Sequence, residues 1–355
     1  MNPEIGSADR NRMLRVAVIG VGHWGPNLVA NFNDDPRSQV VRVVDLDHHR
    51  LEAVRARFAD VEIGKDANAA IEDPNVDAVV VSTPTTTHEE VAGAALRAGK
   101  HVLVEKPMAA SSVAARRLAA LAKENGLVLM VGHVFVYNGA AVRAKEIIAA
   151  GELGRIYTIT MQRTNLGPIR VDVNAAWDLA AHDVSLANYW LDSHPVGVSA
   201  VGGAWINPGV EDSVFATLRY PGETLVHLHA SWLHPRKTRD IAVVGERKML
   251  IFDDMQVDEP LQLFDKQVTE ERSHPTFIDS FDTFRMAVQE GDVSKPAVER
   301  SQPLRNECQH FLDCVLNGET ARSGPREGVE VVAVLEAISR SLAERGAEVA
   351  VEAAE

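Results

Sequence analysis

RVAVIGVGHWGPNLVANFNDDPRSQVVRVVD, residues 15–45, is the stretch from which the rest of the chain is read. Val16, Ala17, Val18 and Ile19 form an apolar run without alternation, the pattern of a central parallel strand covered on both faces. Gly20, Gly22 and Gly25 follow at G-x-G-x-x-G spacing. The first permits a tight turn, the second lets backbone approach a pyrophosphate, and the third lets helix and strand pack closely. Pro26 stands in the first helical turn, where its missing N–H costs nothing and the remaining amides point at phosphate. Val40 to Val44 form the next strand, which ends in Asp45, twenty residues beyond Gly25, where a carboxylate accepts from an adenosine ribose. Strand, glycine turn, helix, second strand and terminal acid together predict a dinucleotide site. Taken alone, Asp45 is equally explained as turn chemistry ahead of Asp47, an N-cap for a helix burying Leu51, Val54 and Phe58.

The alternation of strand and helix continues outward from this unit. Strands are expected at 76–82, 101–105 and 127–131, with helices at 87–98, capped by Thr87, and 112–125, capped by Ser111 or Ser112. This predicts an α/β architecture: a Rossmann-type doubly wound parallel sheet over residues 1–132, with residues 1–12 as a loose tail. Beyond Gly132 a helix at 139–150 leads into alternating segments at 156–163, 196–204, 214–220, 225–232, 241–244 and 249–252. These read as a large, mostly antiparallel sheet in an α+β domain over residues 133–355, closed by helices at 304–316 and 329–345. Residues 265–301 are charged and weakly periodic and give no reading.

Composition narrows the function. The 355 residues suit two domains, and a formal net charge of −14 disfavours nucleic acid or an anionic membrane as partner. No apolar run is long enough to span a bilayer and the first residues are not a secretory signal, so a cytoplasmic protein is expected. Cys308 and Cys314, the only cysteines, read as buried small side chains.

Chemistry is expected at the carboxyl ends of the parallel strands, where two stretches qualify. In Glu105-Lys106-Pro107 a lysine ends a buried strand, placed to exchange a proton with a hydroxyl or to steady charge on oxygen; a plain surface lysine fits the position equally well. In Trp177-Asp178-Leu179-Ala180-Ala181-His182-Asp183, Asp178 and His182 share a face if the helix has begun, and the carboxylate could orient the imidazole as a base. A capping aspartate beside an ordinary histidine explains the pair too, and a metal site built from His182, Asp178 and His133 is disfavoured, so no metal is expected.

The motifs VIGVGHWG (18–25), STPTTTH (82–88), VLVEKP (102–107) and the Asp178-x-x-x-His182 pair resemble the glucose-fructose oxidoreductase, inositol dehydrogenase and MocA (Gfo/Idh/MocA) family over nearly the whole chain. The resemblance implies NAD(P)-dependent oxidation or reduction at a sugar or cyclitol carbinol, with Lys106, Asp178 and His182 as catalytic trio, and Asp45 favours NAD over NADP. It implies a cofactor path along Gly20, Gly22, His23, Trp24, Gly25, Asp45, Arg50, Ser82, Thr83, Pro84, His88, Glu105, Lys106 and Pro107. Segments 161–183 and 231–245 are similar to the UDP-N-acetylglucosamine 3-dehydrogenase and UDP-N-acetyl-glucosaminuronate dehydrogenase branch. This implies a nucleotide-linked N-acetyl hexose, oxidised at C3, with Asn138, Arg163, Asn165 and Asn174 joining the trio at substrate. Arg163, Arg170, Arg236, Lys237 and Arg239 would serve as a diphosphate cluster, ordinary solvated charge being the plainer reading of each. Ala180 and Ser185 depart from residues common in the family. An inositol or free-sugar dehydrogenase, or a 3-keto sugar-nucleotide reductase, is the alternative, and a non-catalytic NAD-binding scaffold a third. The apolar residues Val214, Ala216, Leu218 and Trp232 predict a homodimer through the second sheet, extended by the resemblance to a homotetramer.

Overall fold

The computed structural model describes residues 13–270 and 286–353; the expected tail at 1–12 lies outside them. The chain divides into two compact units, one holding the chain up to Tyr137 and Ser301–Glu336, the other Asn138–Arg300 and Ala337–Glu352. The single boundary expected at residue 132 is therefore replaced by an interleaved division, because a C-terminal segment returns to the first unit.

In the first unit β1 (Leu14–Ile19), α1 (Gly25–Asp34), β2 (Ser38–Val44), α2 (His48–Arg57), β3 (Glu62–Gly64) and α3 (Ala67–Ile71) form one half. The other half is β4 (Ala78–Val81), α4 (His88–Arg97), β5 (His101–Glu105), α5 (Ser112–Glu124) and β6 (Leu129–Gly132). The strands form a six-stranded parallel sheet in the order β3-β2-β1-β4-β5-β6. Strand order reverses between β1 and β4, and a crevice opens beyond the carboxyl ends of strands at such a switch point. Val16, Ala17 and Val18 on β1 and Ala78, Val79, Val80 and Val81 on β4 are fully buried, as unalternating runs in a doubly covered sheet must be. Ser111 caps α5 by accepting from Ala114 N, whereas the Thr87 hydroxyl, expected to cap α4, bonds Thr83 Oγ1 and the Pro84 carbonyl.

The second unit opens with α6 (Gly139–Ala149) and β7 (Ile156–Leu166). A widened π-helical turn, Ala176–Ala180, leads into α7 (Ala181–Leu191). There follow β8 (Gly197–Gly203), β9 (Ser213–Arg219), β10 (Leu225–Ser231), β11 (Leu233–Gly245), β12 (Met249–Asp253), β13 (Leu261–Glu270) and β14 (Met286–Ser294). After α8 (Pro303–Asn317) and α9 (Pro325–Ala343), the short β15 (Val349–Ala350) completes a nine-stranded sheet, β14-β13-β12-β11-β7-β10-β9-β8-β15. It is antiparallel except for the β7–β10 pair. The end of β13 and the whole of β14 fall within the stretch at 265–301 that had no sequence reading, of which 271–285 lie outside the described residues.

α8 belongs to the first unit because its apolar stripe, Cys308, Phe311 and Leu312, is buried there: Phe311 meets Phe32 of α1 edge-to-face at 6.0 Å. Ser323, beyond α8, accepts from Val131 N through its carbonyl at 2.8 Å and bonds the Tyr137 hydroxyl at 2.8 Å. Both cysteines are buried free thiols. No helix among the described residues is long and apolar enough to cross a membrane.

Val214, Ala216, Leu218 and Trp232, expected to cover a partner, are buried within the chain at 5% exposure or less. The period-two alternation puts Phe215 of β9 on the opposite face, 52% exposed, beside Val201 of β8, 56% exposed, and stacked on His229 of β10 at 4.0 Å.

Candidate active site

In the first unit the glycine turn is built as its spacing requires. Gly20 has φ +92°, and a Cβ there would lie 2.5 Å from the Ser82 carbonyl oxygen; a Cβ on Gly25 would lie 2.3 Å from the Gly20 carbonyl oxygen. Only glycine fits either position, so the turn, the start of α1 and the end of β4 close on one another through bare backbone. A Cβ on Gly22 would approach only the Arg50 guanidinium, at 3.6 Å, so backbone is open to a ligand there. The amides that begin α1 have no side-chain cap, and Pro26 occupies its first turn. An uncapped helix N-terminus behind a glycine turn is a phosphate cradle. At the end of β2 the Asp45 carboxylate accepts from Val21 N through Oδ2 and Asp47 N through Oδ1, both at 2.8 Å, with Arg50 Nη1 3.7 Å from Oδ2. The chain thus fits an adenine dinucleotide: phosphates on the α1 amides, a ribose at Asp45. Trp24, 45% exposed at the N-terminus of α1 beside His23, is placed to border such a ligand.

His88, expected among the cofactor contacts, is 1% exposed and holds backbone instead. Its Nδ1 lies 2.9 Å from the Pro107 carbonyl oxygen and its Nε2 2.8 Å from that of Thr83, tying the loop after β4 to the turn after β5. Burial pushes its pKa down while the Thr83 and Pro107 carbonyls oppose that; both carbonyls accept, so a neutral ring donates its single N–H to only one of them. Lys106 follows β5, half-buried, and the Lys106–Pro107 peptide is cis. The Glu105 carboxyl accepts from Lys106 N at 3.3 Å, and its desolvation, opposed by the Lys106 charge, raises its pKa to about 7.

Two further groups lie near Lys106 and Glu105: His133, read from the sequence only as a disfavoured metal ligand, and Glu307, which the sequence reading missed. His133, 1% exposed and with neither ring nitrogen hydrogen-bonded, is pushed down to about 3 by burial, with the Lys106 charge adding to it. Glu307 of α8, also 1% exposed, has an unpartnered Oε1 and is pushed well up by burial and then by the charge of Glu105. Glu307 had no signal in the sequence, since only the return of α8 to the first unit brings it there.

In the second unit Asp178 lies on the π-helical turn and His182 in the first turn of α7, so their spacing is not that of a regular α-helix. Asp178 Oδ1 accepts from Arg170 Nη1 and Oδ2 from Trp232 Nε1, each at 3.1 Å. Asn174 accepts from Trp177 N at 3.1 Å and donates to Glu211 at 2.8 Å, so its amide braces this turn. Asn138 caps α6 through Ala140 N and donates to Asp254 at 3.1 Å, which occupies both ends of its amide. Asn165 is half-buried near the end of β7.

The expected diphosphate cluster is largely matched by carboxylates. Arg163 does not face a ligand: at 5% exposure it donates through Nε and Nη2 to Asp183 Oδ1 at 2.9 and 2.7 Å, because its place on β7 points it inward. Arg170 forms a bidentate pair with Asp172 besides its bond to Asp178, and Arg239 Nη1 is 2.9 Å from Asp254. Arg236 and Lys237 are exposed where the β11 ladder is interrupted between Leu233 and Thr238.

Residues 14–133 match the family model described as oxidoreductase family, NAD-binding Rossmann fold, and residues 141–251 match the GFO/IDH/MocA C-terminal domain. The scyllo-inositol 2-dehydrogenase (NAD(+)) of Bacillus subtilis strain 168 is 32% identical over 207 residues, 56% of this chain and 60% of that protein. The chain spans about half to two thirds of the length of the first curated relatives it matches. Among solved structures, GenD2 from gentamicin A biosynthesis in complex with NAD superposes with a TM-score of 0.79 at 28% identity, covering 96% of this chain and 97% of that one. UDP-N-acetylglucosamine 3-dehydrogenase GnnA of Acidithiobacillus ferrooxidans, at 24% identity and TM-score 0.78 over 94% of this chain and 98% of its own, shares the fold.

Proposed function

The chain belongs to the GFO/IDH/MocA oxidoreductase family, and from that premise we propose that it transfers a hydride between NAD and a carbinol carbon of an uncharged sugar or cyclitol. The observation that carries the choice of substrate is the pairing of the arginines. Arg163, Arg170 and Arg239 each face a carboxylate already, and a site meant for a second diphosphate needs guanidinium forks turned to the ligand. An uncharged polyol asks for hydrogen bonds instead, and carboxylates are good acceptors for hydroxyl groups.

Bound NAD supplies the hydride acceptor. Asp45 and the amides that begin α1 would hold its adenosine and phosphates. As hydride leaves the carbinol carbon its hydroxyl proton must be removed, so a base is needed. His182 takes that proton in this reading, Asp178 holds local charge and orientation, and Lys106 donates a hydrogen bond to developing negative charge on oxygen. The neighbouring Glu105 carboxyl, which accepts from Lys106 N, is pushed up by desolvation to about 7.

A second reading, a UDP-linked N-acetyl hexose oxidised at C3, rests on the exposed Arg236 and Lys237. NADH formation with inositols, free hexoses and UDP-sugars separates the two. Turnover of a free polyol supports the first reading, and turnover confined to sugar nucleotides supports the second.

A further inference from the structure

We infer that Arg170 and Trp232 are positioning residues that lock the Asp178 carboxylate, an inference that rests on the reading of Asp178 as part of the catalytic trio. The carboxylate is gripped from two directions by donors on different parts of the second unit. Arg170 comes from the loop after β7 and bonds Oδ1, while Trp232 comes from the junction of β10 and β11 and bonds Oδ2, both at 3.1 Å. The two donors are constrained differently, Trp232 by burial and the part-exposed Arg170 by an ion pair. Trp232 is 1% exposed, so its ring cannot turn the indole N–H elsewhere. Arg170 is itself oriented by Asp172, which takes Nε at 3.0 Å and Nη2 at 2.6 Å and leaves Nη1 aimed at Asp178. A planar guanidinium held by a fork–fork pair presents its remaining N–H in a fixed direction, which a lysine ammonium cannot do.

The need for this grip follows from the backbone. Asp178 sits on a five-residue π-helical turn, and π-helical geometry lacks the tight i, i+4 stacking that fixes side-chain direction on an α-helix. The turn is braced at its start, where Asp178 N donates to the Asn174 carbonyl at 3.1 Å and Trp177 N to the Asn174 side chain. Its side chain is then aimed by Arg170 and Trp232. The same arrangement accounts for Asp172, which touches the reaction only through Arg170.

The experiment compares wild type with Arg170→Met, Arg170→Lys, Asp172→Asn and Asp178→Asn, measuring kcat, KM for polyol, Kd for NAD and the indole N–H resonance of Trp232 by NMR, assigned through Trp232→Phe. A misaimed carboxylate should lower kcat by about 10–100-fold in Arg170→Met with Kd for NAD unchanged. Arg170→Lys should stay near the methionine variant, because charge without the fork does not restore aim, and Asp172→Asn should lose part of kcat. The indole resonance should move in both Asp178→Asn and Arg170→Met. Wild-type kcat in Arg170→Met, full recovery in Arg170→Lys, or an indole resonance that ignores Asp178→Asn overturns the inference. If the wild type turns over no polyol, the proposed function fails by itself. The indole shifts then decide the positioning: movement in Arg170→Met upholds it and a fixed resonance overturns it. Should Arg170→Met fail to fold, Asp172→Asn carries the same test.

Discussion

Asp45 Oδ2 accepts the Val21 amide at 2.8 Å, so the acid at the end of β2 is fastened to the glycine turn itself. Its position relative to the phosphate cradle is thereby fixed by one covalent residue step from Gly20 and Gly22. A carboxylate held there accepts from ribose hydroxyls and repels a 2′-phosphate, so a preference for NAD over NADP is predicted. Asp45→Ala should weaken NAD by roughly 1–3 kcal/mol, about 5–150-fold, and narrow the preference. Dissociation constants for both cofactors check this; Arg50, 3.7 Å from Asp45, is the residue that would then favour the phosphate.

Lys106→Ala and His182→Ala should each lower kcat by ~10²–10⁴-fold, the usual worth of a positioned acid or base. Retained NAD binding and an unchanged melting temperature show that the loss is chemical. Near-native turnover in both variants removes them from the proton path.

Glu105 makes stability depend on pH in a defined direction. Its pKa rises from the ordinary 4.5 to about 7 in the folded chain, so the folded state holds a proton that the unfolded state has lost. Stability therefore falls as pH rises from about 4.5 and stops falling once pH passes 7. Glu105→Gln lacks this penalty. It should match wild type near pH 4.5 and gain on it up to pH 7, by on the order of 2 kcal/mol for a half-buried residue. Melting temperatures across that range test it; a constant difference contradicts the linkage.

The face carrying Val201, Phe215 and His229 is the proposed self-association surface. Exposed aliphatic and aromatic side chains on adjacent strands are costly to leave in water. A homodimer or homotetramer is expected by light scattering, and Phe215→Asp should lower the mass toward the monomer.

What could be read from the sequence was local. The Gly20, Gly22, Gly25 and Asp45 pattern was legible because strand, glycine turn, helix, second strand and terminal acid follow one another in a single stretch, although Gly20 also packs against the Ser82 carbonyl beyond it. Expectations that depended on long-range partners went astray. Arg163 looked like a ligand for phosphate because nothing in the sequence points to Asp183, twenty residues on, as its buried partner. Asn138 and Asn174 looked like substrate contacts because cap and ligand use the same amide. Val214, Ala216 and Leu218 revealed one apolar face but not which side of the sheet it covers. Glu307 was invisible because the return of α8 to the first unit is a property of the whole chain. The long β11 was seen only at 241–244, since Pro235, Arg236 and Lys237 disguise its start.

The central claim is direct hydride transfer from an uncharged polyol to NAD. The most direct measurement supplies the best-oxidised member of an inositol and hexose panel with deuterium at the carbinol carbon and weighs the NADH formed. The account predicts NADH carrying the deuterium, a rate that falls with the label, and faster turnover of this polyol than of any UDP-sugar. Unlabelled NADH, or NADH formed only from sugar nucleotides, would contradict it.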